Sequence, residues 1–455
     1  MLKKIFKVFG FTLAVILGAL AFCLAPIDWT PYQQMPYYQE VKAHLRALAA
    51  KPKPQPISRL QAGWAKVNMT PAYATPTAGY GGRKGKPFES VHDSVYARAL
   101  VLDNGALRVA IVSLDLLIVP PTVTAQLKEK LPNIGFSLDR TYLAATHSHN
   151  SLGGWGKKLA GKLFAGKYEQ RMVDHLTQAI LTAIDQAQKQ LAPAQVGFSR
   201  MAAPAFVFNR LVGKKGITDP WIRTIKLKKS NGQTALLCTY AAHATCLDMY
   251  RMQLSRDYPG VLVDALEKKD SISVDFAMFM AGAVGSQGPV EKGNDQQAMD
   301  SLAYGLNHII EAQLNCIPMQ PDTSLILNIL RVPLPLREPQ RKISANWRIR
   351  PWLFNAIYGS YPSEMKALRI GQQILVGTPC DFSGELVPDF DSLCRQKGIN
   401  LLITSFNGGY VGYITPDAYY ELNTYETNHM NWFGPYNAAY FEEVMKELIS
   451  INYSH

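Results

Sequence analysis

The sequence predicts an α/β fold: a single large domain with a mixed β-sheet and flanking helices, preceded by an N-terminal hydrophobic anchor. Three observations predict it. Short apolar runs that suit buried strands alternate with longer stretches of helical period. Hydrophobic residues make up 47% of the 455-residue chain and charged residues 18%, the balance of an ordered globular protein. Several apolar runs end in turns carrying His, Ser, Asp or Tyr, as strands do where a cleft is built at a sheet edge.

The N-terminus comes first. Lys3, Lys4 and Lys7 precede an uncharged run from Val8 to Ala25. Residues 1–26 read as a signal anchor, or as a signal peptide cut after Ala19-Leu20-Ala21. Lysines before the run place the body outside the cytoplasm, periplasmic or extracellular, anchored or else secreted after cleavage. Bulky Phe22 argues against lipidation of Cys23. Trp29, Tyr32, Tyr37 and Tyr38 have the composition of a membrane interface. Residues 27–57 read as a Pro/Lys-rich linker, and the globular domain is expected over 58–455.

Within that domain, "VYARALVLDNGALRVAIVSLDLLIV" reads as two strands joined at Asn104-Gly105. "PTVTAQLKEKL" and "KYEQRMVDHLTQAILTAIDQAQKQL" read as helices. "TALLCTYAAHATC" and "SVDFAMFMAG" read as buried strands, and "QQAMDSLAYGLNHIIEAQL" as a helix. "LRIGQQILVGTPC" reads as a hairpin turning at Gly371-Gln372. "INLLITSFNGG" is a strand and "YNAAYFEEVMKELISIN" a helix. No repeat or low-complexity segment interrupts the series.

The formal charge is +12. The basic residues are dispersed, and no zinc finger, RNA-recognition signature or helix-turn-helix pattern accompanies them. This argues against nucleic acid and for an anionic membrane surface. The six cysteines form no C-x-x-C pair or dense framework; export permits a disulfide among the five outside the anchor, which sequence does not pair, and a buried free thiol is the expectation for each.

The stretch "AATHSHNSLGG" places His147 and His149 one residue apart after an apolar run. On a continuing strand, residues i and i+2 share a side, so both imidazoles would project together. Such a pair suits a metal or oxyanion site, or is simply two surface histidines. Other apolar runs end near His243, Ser286, Asp381, Tyr410 and Tyr413. Singly, each has an ordinary reading: a packed histidine, packing tyrosines, or Asp381 as the cap of the helix "FSGELVPDF".

Taken in order, these pieces resemble the neutral/alkaline (non-lysosomal) ceramidase family. The family's start is similar to "GWAKVNMTP…GYGGR" (Gly63 to Arg83), and its "THTHSGPGG" is similar to "THSHNSLGG". The Asn209-Arg210 pair, "HATCL", "PCDFS" (Pro379 to Ser383) and "YITPDAYYELNTYE" (Tyr413 to Glu426) follow in the family's order. The resemblance implies a zinc amidase that cleaves the N-acyl amide of a lipid such as ceramide. It implies one Zn2+ held by His147, His243, Asp381 and Tyr413. It implies His149, Arg210 and Tyr425 at the substrate carbonyl and developing oxyanion. Zinc suits such N and O donors and activates water near neutral pH.

Three departures stand out. The family's acidic ligand is Glu, and here it is Asp381, one methylene shorter. The family's "A-G-D-x-S-P" is "AGAVGSQGP" here, with Gly285 at the serine position and Ser286 one residue late, the candidate for its catalytic role. A counterpart of the family's C-terminal β-domain is missing, so a shortened, divergent member is expected. Two alternatives therefore stay open: a hydrolase of another cell-envelope amide or ester, or a non-catalytic, membrane-tethered binding protein. Two basic segments have two readings each. "LREPQRKISANWRIRPWLFNAIYGSYP" suits a membrane interface or a solvated loop with a packed tip. "GWGKKLAGKLFAGKYEQR" suits a collector of anionic lipid or substrate, or a plain helix surface.

Overall fold

The computed structural model describes residues 2–57, 59–269, 272–320 and 325–453. Ser58 and His455, the limits expected for the globular domain, lie outside the described residues. The chain starts with a helix, α1 (Leu2–Cys23), and a short strand, β1 (Leu24–Pro26). The window Lys3–Cys23 has a mean hydropathy of 2.2 and is not buried against the body, so it is long and apolar enough to cross a membrane.

Part of the stretch expected as linker is a helix, α2 (Pro36–Ala49). Its Tyr37, Val41, Leu45 and Leu48 recur every three to four residues and are buried in the body. Tyr32 and Tyr37 are therefore core residues, not a membrane belt. The Tyr32 and Tyr38 hydroxyls both donate to Glu443, at 2.8 and 2.6 Å. Burial among apolar neighbours outweighs the interfacial preference of tyrosine once the ring has a packed seat and the hydroxyl a partner.

The body is built on two sheets. The larger contains β2 (Gln61–Asn68), β3 (Tyr96–Asp103), β4 (Arg108–Leu114), β5 (Thr141–Ala145), β6 (Ala192–Ala202), β7 (Trp221–Lys229), β8 (Thr234–Tyr240) and β9 (Phe276–Ala281). Its order is β9-β8-β7-β6-β2-β3-β4-β5, with the short strand Met319–Gln320 beside β6. The β4–β5 and β8–β9 pairs are parallel and the others antiparallel. β10 (Leu327–Pro333) belongs to the second sheet, and β11 (Trp347–Ile349) pairs with β1. The second sheet continues with β12 (Glu364–Ile370), β13 (Gln373–Gly377) and, beyond a short β14 (Asp381–Phe382), β15 (Asn400–Thr404). A last short strand, β16 (Tyr413–Ile414), runs parallel to β14.

Strand periodicity sorts the core. In β4, Val109 and Ile111 face the second sheet, while Ala110, Val112 and Leu114 face helices α3 (Pro121–Lys130) and α5 (Gln170–Gln188). Leu368 and Ile370 of β12 fill the same inter-sheet layer, and Met365 and Ala367 face the other way. Helices cover both outer faces. α3 and α5 cover one half of the large sheet; α6 (Asp257–Glu267) and α7 (Asp295–Leu314) cover the other. Helices α2, α9 (Val387–Gln396) and α10 (Asn437–Tyr453) cover the second sheet. The result is a four-layer helix–sheet–sheet–helix domain. α4 (Leu159–Ala165) and α8 (Pro351–Tyr358) pack together at its edge.

The expected hairpins form. β3 and β4 pair from Asp103↔Arg108 onward, so the turn spans four residues, with Gly105 at φ 89°. β12 and β13 close through Gly371-Gln372, with Gly371 at φ 62°. Among the described residues no cysteine pairs. Cys238, Cys246, Cys380 and Cys394 are buried as expected, but Cys316 is exposed and Cys23 only partly covered.

Because Leu45 is fully packed, Leu45→Ala is expected to destabilise the protein by about 2–5 kcal/mol. Urea denaturation measures this; a linker position would show no change.

Candidate functional site

β5 ends at Ala145, before the histidine pair. His147 adopts φ 65°, a left-handed conformation costly for a side-chain-bearing residue. The two histidines therefore meet through a turn and not by strand alternation. His147 Nε2 lies 3.1 Å from His149 Nε2. The ring of His147 stacks on Phe406, itself at φ 64°, with centroids 3.9 Å apart and planes 7° from parallel.

His243 arrives three residues past the end of β8. Its Nε2 lies 2.9 Å from His147 Nε2 and 3.2 Å from His149 Nε2. Asp381, the first residue of β14, completes the group. Its Oδ1 is 3.5 Å from His147 Nε2 and 3.9 Å from His243 Nε2. Among the described residues this buried oxygen has no hydrogen-bond donor. The other oxygen, Oδ2, accepts from Tyr410 at 2.7 Å. The carboxylate thus faces the imidazoles and does not cap a helix: Ser383 and Leu386 hold the N-cap positions that follow.

Burial sets the charge state. Desolvation holds His147 down to about 3 and keeps His149 and His243 well below the usual imidazole value. All three are neutral, with nitrogen lone pairs available. Burial also pushes the Asp381 carboxyl up to about 7, against the lowering effect of the Tyr410 hydrogen bond. Three neutral imidazole nitrogens and an orphaned carboxylate oxygen are a donor set for a cation. Their separations are close to the ~3.3 Å edge of a tetrahedral zinc site.

The outer nitrogens distinguish the histidines. His147 Nδ1 lies 2.6 Å from the Leu117 carbonyl, and His243 Nδ1 lies 3.3 Å from that of Val284. Such carbonyls fix the tautomer that leaves Nε2 free to ligate. His149 Nδ1 is buried without a partner among the described residues. The His149 loop is fastened by Arg83 instead. Arg83 donates to the carbonyls of His149 (2.8 Å), Asp248 (2.8 Å) and Met249 (2.9 Å) and to Asn150 Oδ1 (3.0 Å).

Tyr413, on β16 and in register with Asp381, is buried, and its hydroxyl accepts from Arg210 at 3.0 Å. Arg210 also pairs with Glu426 at 3.1 Å. Tyr425 meets Tyr413 edge to face, with centroids 6.0 Å apart, and is 46% exposed. The structure thus gathers His147, His149, His243, Asp381, Tyr413, Arg210 and Tyr425. Sequence reasoning missed three supporting side chains. Glu426 and Arg83 both lie inside the quoted motifs, so their positions were visible but not their roles. Phe406 carried no signal, because only its unusual backbone brings it under His147.

Ser286, the candidate for the family serine's role, is held by its neighbours. Its hydroxyl is fully buried, accepting from Ser383 at 2.7 Å and from Gln287 at 2.8 Å. Like His243, Asp381 and Arg210, it is not among the described residues that line the cavity. Nor has the turn space for a serine one position earlier. A Cβ on Gly285 would lie 2.5 Å from the Asp381 carbonyl oxygen. The turn is bonded tightly to β14, with Gly285 N–H donating to the Phe382 carbonyl at 2.8 Å.

The site opens into a cavity of about 490 Å³. His147, His149, Tyr410, Tyr413 and Tyr425 form its floor. Leu117, Ile118, Trp155, Phe164, Phe354 and Trp432 are among its apolar walls. An apolar channel ending in a few polar groups suits an amphiphile.

Gly285→Ser should push the Asp381 backbone aside and cost about 1–3 kcal/mol. It is expected to lower the melting temperature and not to restore a nucleophile. A stable, more active Gly285→Ser protein would show that the turn has room.

The chain is similar to known proteins in sequence and in fold. The model of the neutral/alkaline non-lysosomal ceramidase N-terminal domain matches residues 61–288. A neutral ceramidase from Pseudomonas aeruginosa is 24% identical over 187 residues, 37% of this chain and 28% of that protein. The crystal structure of neutral ceramidase from Pseudomonas aeruginosa superposes with a TM-score of 0.71 at 19% identity, covering 88% of this chain and 75% of that one. A structure of ceramidase complexed with C2 gives 0.71 at 18% identity, covering 86% and 75%. With half of its length matched by the family model and its site motifs in the family's order, the chain belongs to the neutral/alkaline non-lysosomal ceramidase family.

Proposed function

We propose that the protein is a zinc-dependent amidohydrolase that cleaves the N-acyl amide of a membrane lipid of the ceramide type, outside the cytoplasm. The observation that carries this is the convergence of three neutral imidazole nitrogens, 2.9–3.2 Å apart, with the orphaned Asp381 oxygen 3.5 and 3.9 Å from two of them, behind an apolar cavity that His147, His149 and Tyr413 line. The ceramidase names of the relatives support the same chemistry. His147, His243, Asp381 and Tyr413 would hold the zinc. When bound, zinc supplies a Lewis acid for the amide carbonyl and acidifies water.

The chain's own groups do the rest. Water adds across the amide C–N bond: its hydroxyl goes to the acyl carbon, and its hydrogen goes to the departing nitrogen. A fatty acid and a sphingoid amine result. Arg210, steadied by Glu426, sets a fixed positive charge next to Tyr413, where the carbonyl oxygen gains negative charge. Tyr425 offers a hydroxyl from the wall, and His149 a ring nitrogen. Tyr410 holds Asp381 Oδ2, which keeps Oδ1 turned to the imidazoles. The apolar walls receive the acyl chain and exclude water.

The purified chain is expected to retain about one zinc and to hydrolyse an N-acyl sphingoid. His147→Ala, His243→Ala and Asp381→Asn should lose the metal while staying folded. His149→Ala should keep it and lose at least ~100-fold in rate. Elemental analysis with a hydrolysis assay checks both. Wild-type zinc in all three ligand variants would sink the ligand set. Zinc loss in His149→Ala would add that residue to it.

A further inference from the structure

We propose that α4 and α8, which form the rim of the cavity, seat on an anionic bilayer surface beside the exit of α1, so that substrate enters from the lipid phase. The substrate half rests on the amidase reading above; the seating does not.

The end of α1 is fastened to the rim. The last-turn carbonyls of a helix lack intrahelical donors. Here Arg350 Nε donates to the Ala21 and Leu24 carbonyls at 3.0 and 2.9 Å. The Arg350 backbone N–H donates to Cys23 at 2.8 Å, and Trp352 Nε1 to Phe22 at 3.0 Å. The Phe22 and Trp352 rings lie 4.8 Å apart, and β1 pairs with β11. A helix of this length spans about 30 Å, the thickness of a bilayer core. If α1 crosses a membrane, the bilayer surface meets the body at the start of α8.

That helix carries Phe354, Asn355 and Tyr358 of the cavity wall. The mouth is therefore only about one or two helical turns from lipid. Packed against α8, α4 contributes Ala160, Gly161 and Phe164 to the wall. It turns Leu159 (57% exposed) and Leu163 (42%) outward, among exposed Lys157, Lys158 and Lys162. Trp347 and Trp352 are exposed on the α8 side at 47% and 45%. Apolar and aromatic side chains interleaved with lysines form an interfacial surface for anionic headgroups. It is continuous with the α1 exit and surrounds the opening.

Leu163 tests this, because it is exposed on α4 and not on the segment that holds the end of α1. Asn231 is the control. It sits in the turn that enters β8, at the opposite end of that strand from His243. Full-length Leu163→Cys and Asn231→Cys proteins, each with Cys316→Ser, are labelled with a polarity-sensitive dye. They are reconstituted in phosphatidylcholine–phosphatidylglycerol vesicles. The Leu163 label is expected to shift to the blue and to be quenched by brominated acyl chains several-fold more than the Asn231 label. Lys158→Glu with Lys162→Glu should reduce that quenching. Equal, water-like emission at the two sites would overturn the seating. In a second arm, Leu163→Asp with Trp352→Asp should slow cleavage of a long-chain N-acyl sphingoid in vesicles at least tenfold. Its rate on a short-chain, dispersed analogue should stay within twofold of wild type. Equal slowing on both would overturn entry from lipid. A wild-type protein inactive on every amide would refute the amidase reading while the label result still decides the seating.

Discussion

Three uncharged imidazole nitrogens and a carboxyl oxygen are held side by side away from water, and the rest of the site follows from that constraint. Other parts of the fold hold them in place: the Leu117 and Val284 carbonyls behind two rings, Phe406 under one, Tyr410 behind the carboxylate and Arg83 clamping the loop. Each support comes from a different stretch of chain, so the two-sheet scaffold is what brings them into register. The left-handed backbones at His147 and Phe406 are the local strain that this arrangement carries.

Much of the fold was legible because its signals are local. Period-2 alternation in β4 and the Gly371-Gln372 turn state their structure within a few residues. The division of strands into two facing sheets was not legible. It depends on pairings such as β8 with β9 and β4 with β5, which no short window contains. The helix at Pro36–Ala49 was hidden behind a Pro/Lys-rich neighbour, and its tyrosines imitate a membrane belt in composition alone.

The site shows the same division. The motif residues converge as their order implies, yet the reasoning from the strand period failed at His147, because the chain leaves the sheet two residues before it. Ser286 is a different case. The residue type and near-family spacing were visible, but the bonding of its hydroxyl to Ser383 and Gln287 in a tight turn was not. Asp381 was ambiguous between cap and ligand in sequence; the N-caps at Ser383 and Leu386 and the turn of its Oδ1 toward the imidazoles speak against the cap.

The packing of α2 has a consequence for how the protein is made. Its seat is completed by α10: Lys42 pairs with Glu443 and Glu447, and Tyr37 packs edge to face on Tyr440. About four hundred residues of synthesis separate the two helices. At ~5–20 residues per second, α2 waits on the order of twenty seconds or longer for its partner. Its apolar face stays uncovered throughout. The second sheet arises late as well, so this half of the domain closes last and is the part most dependent on protection during translocation or translation.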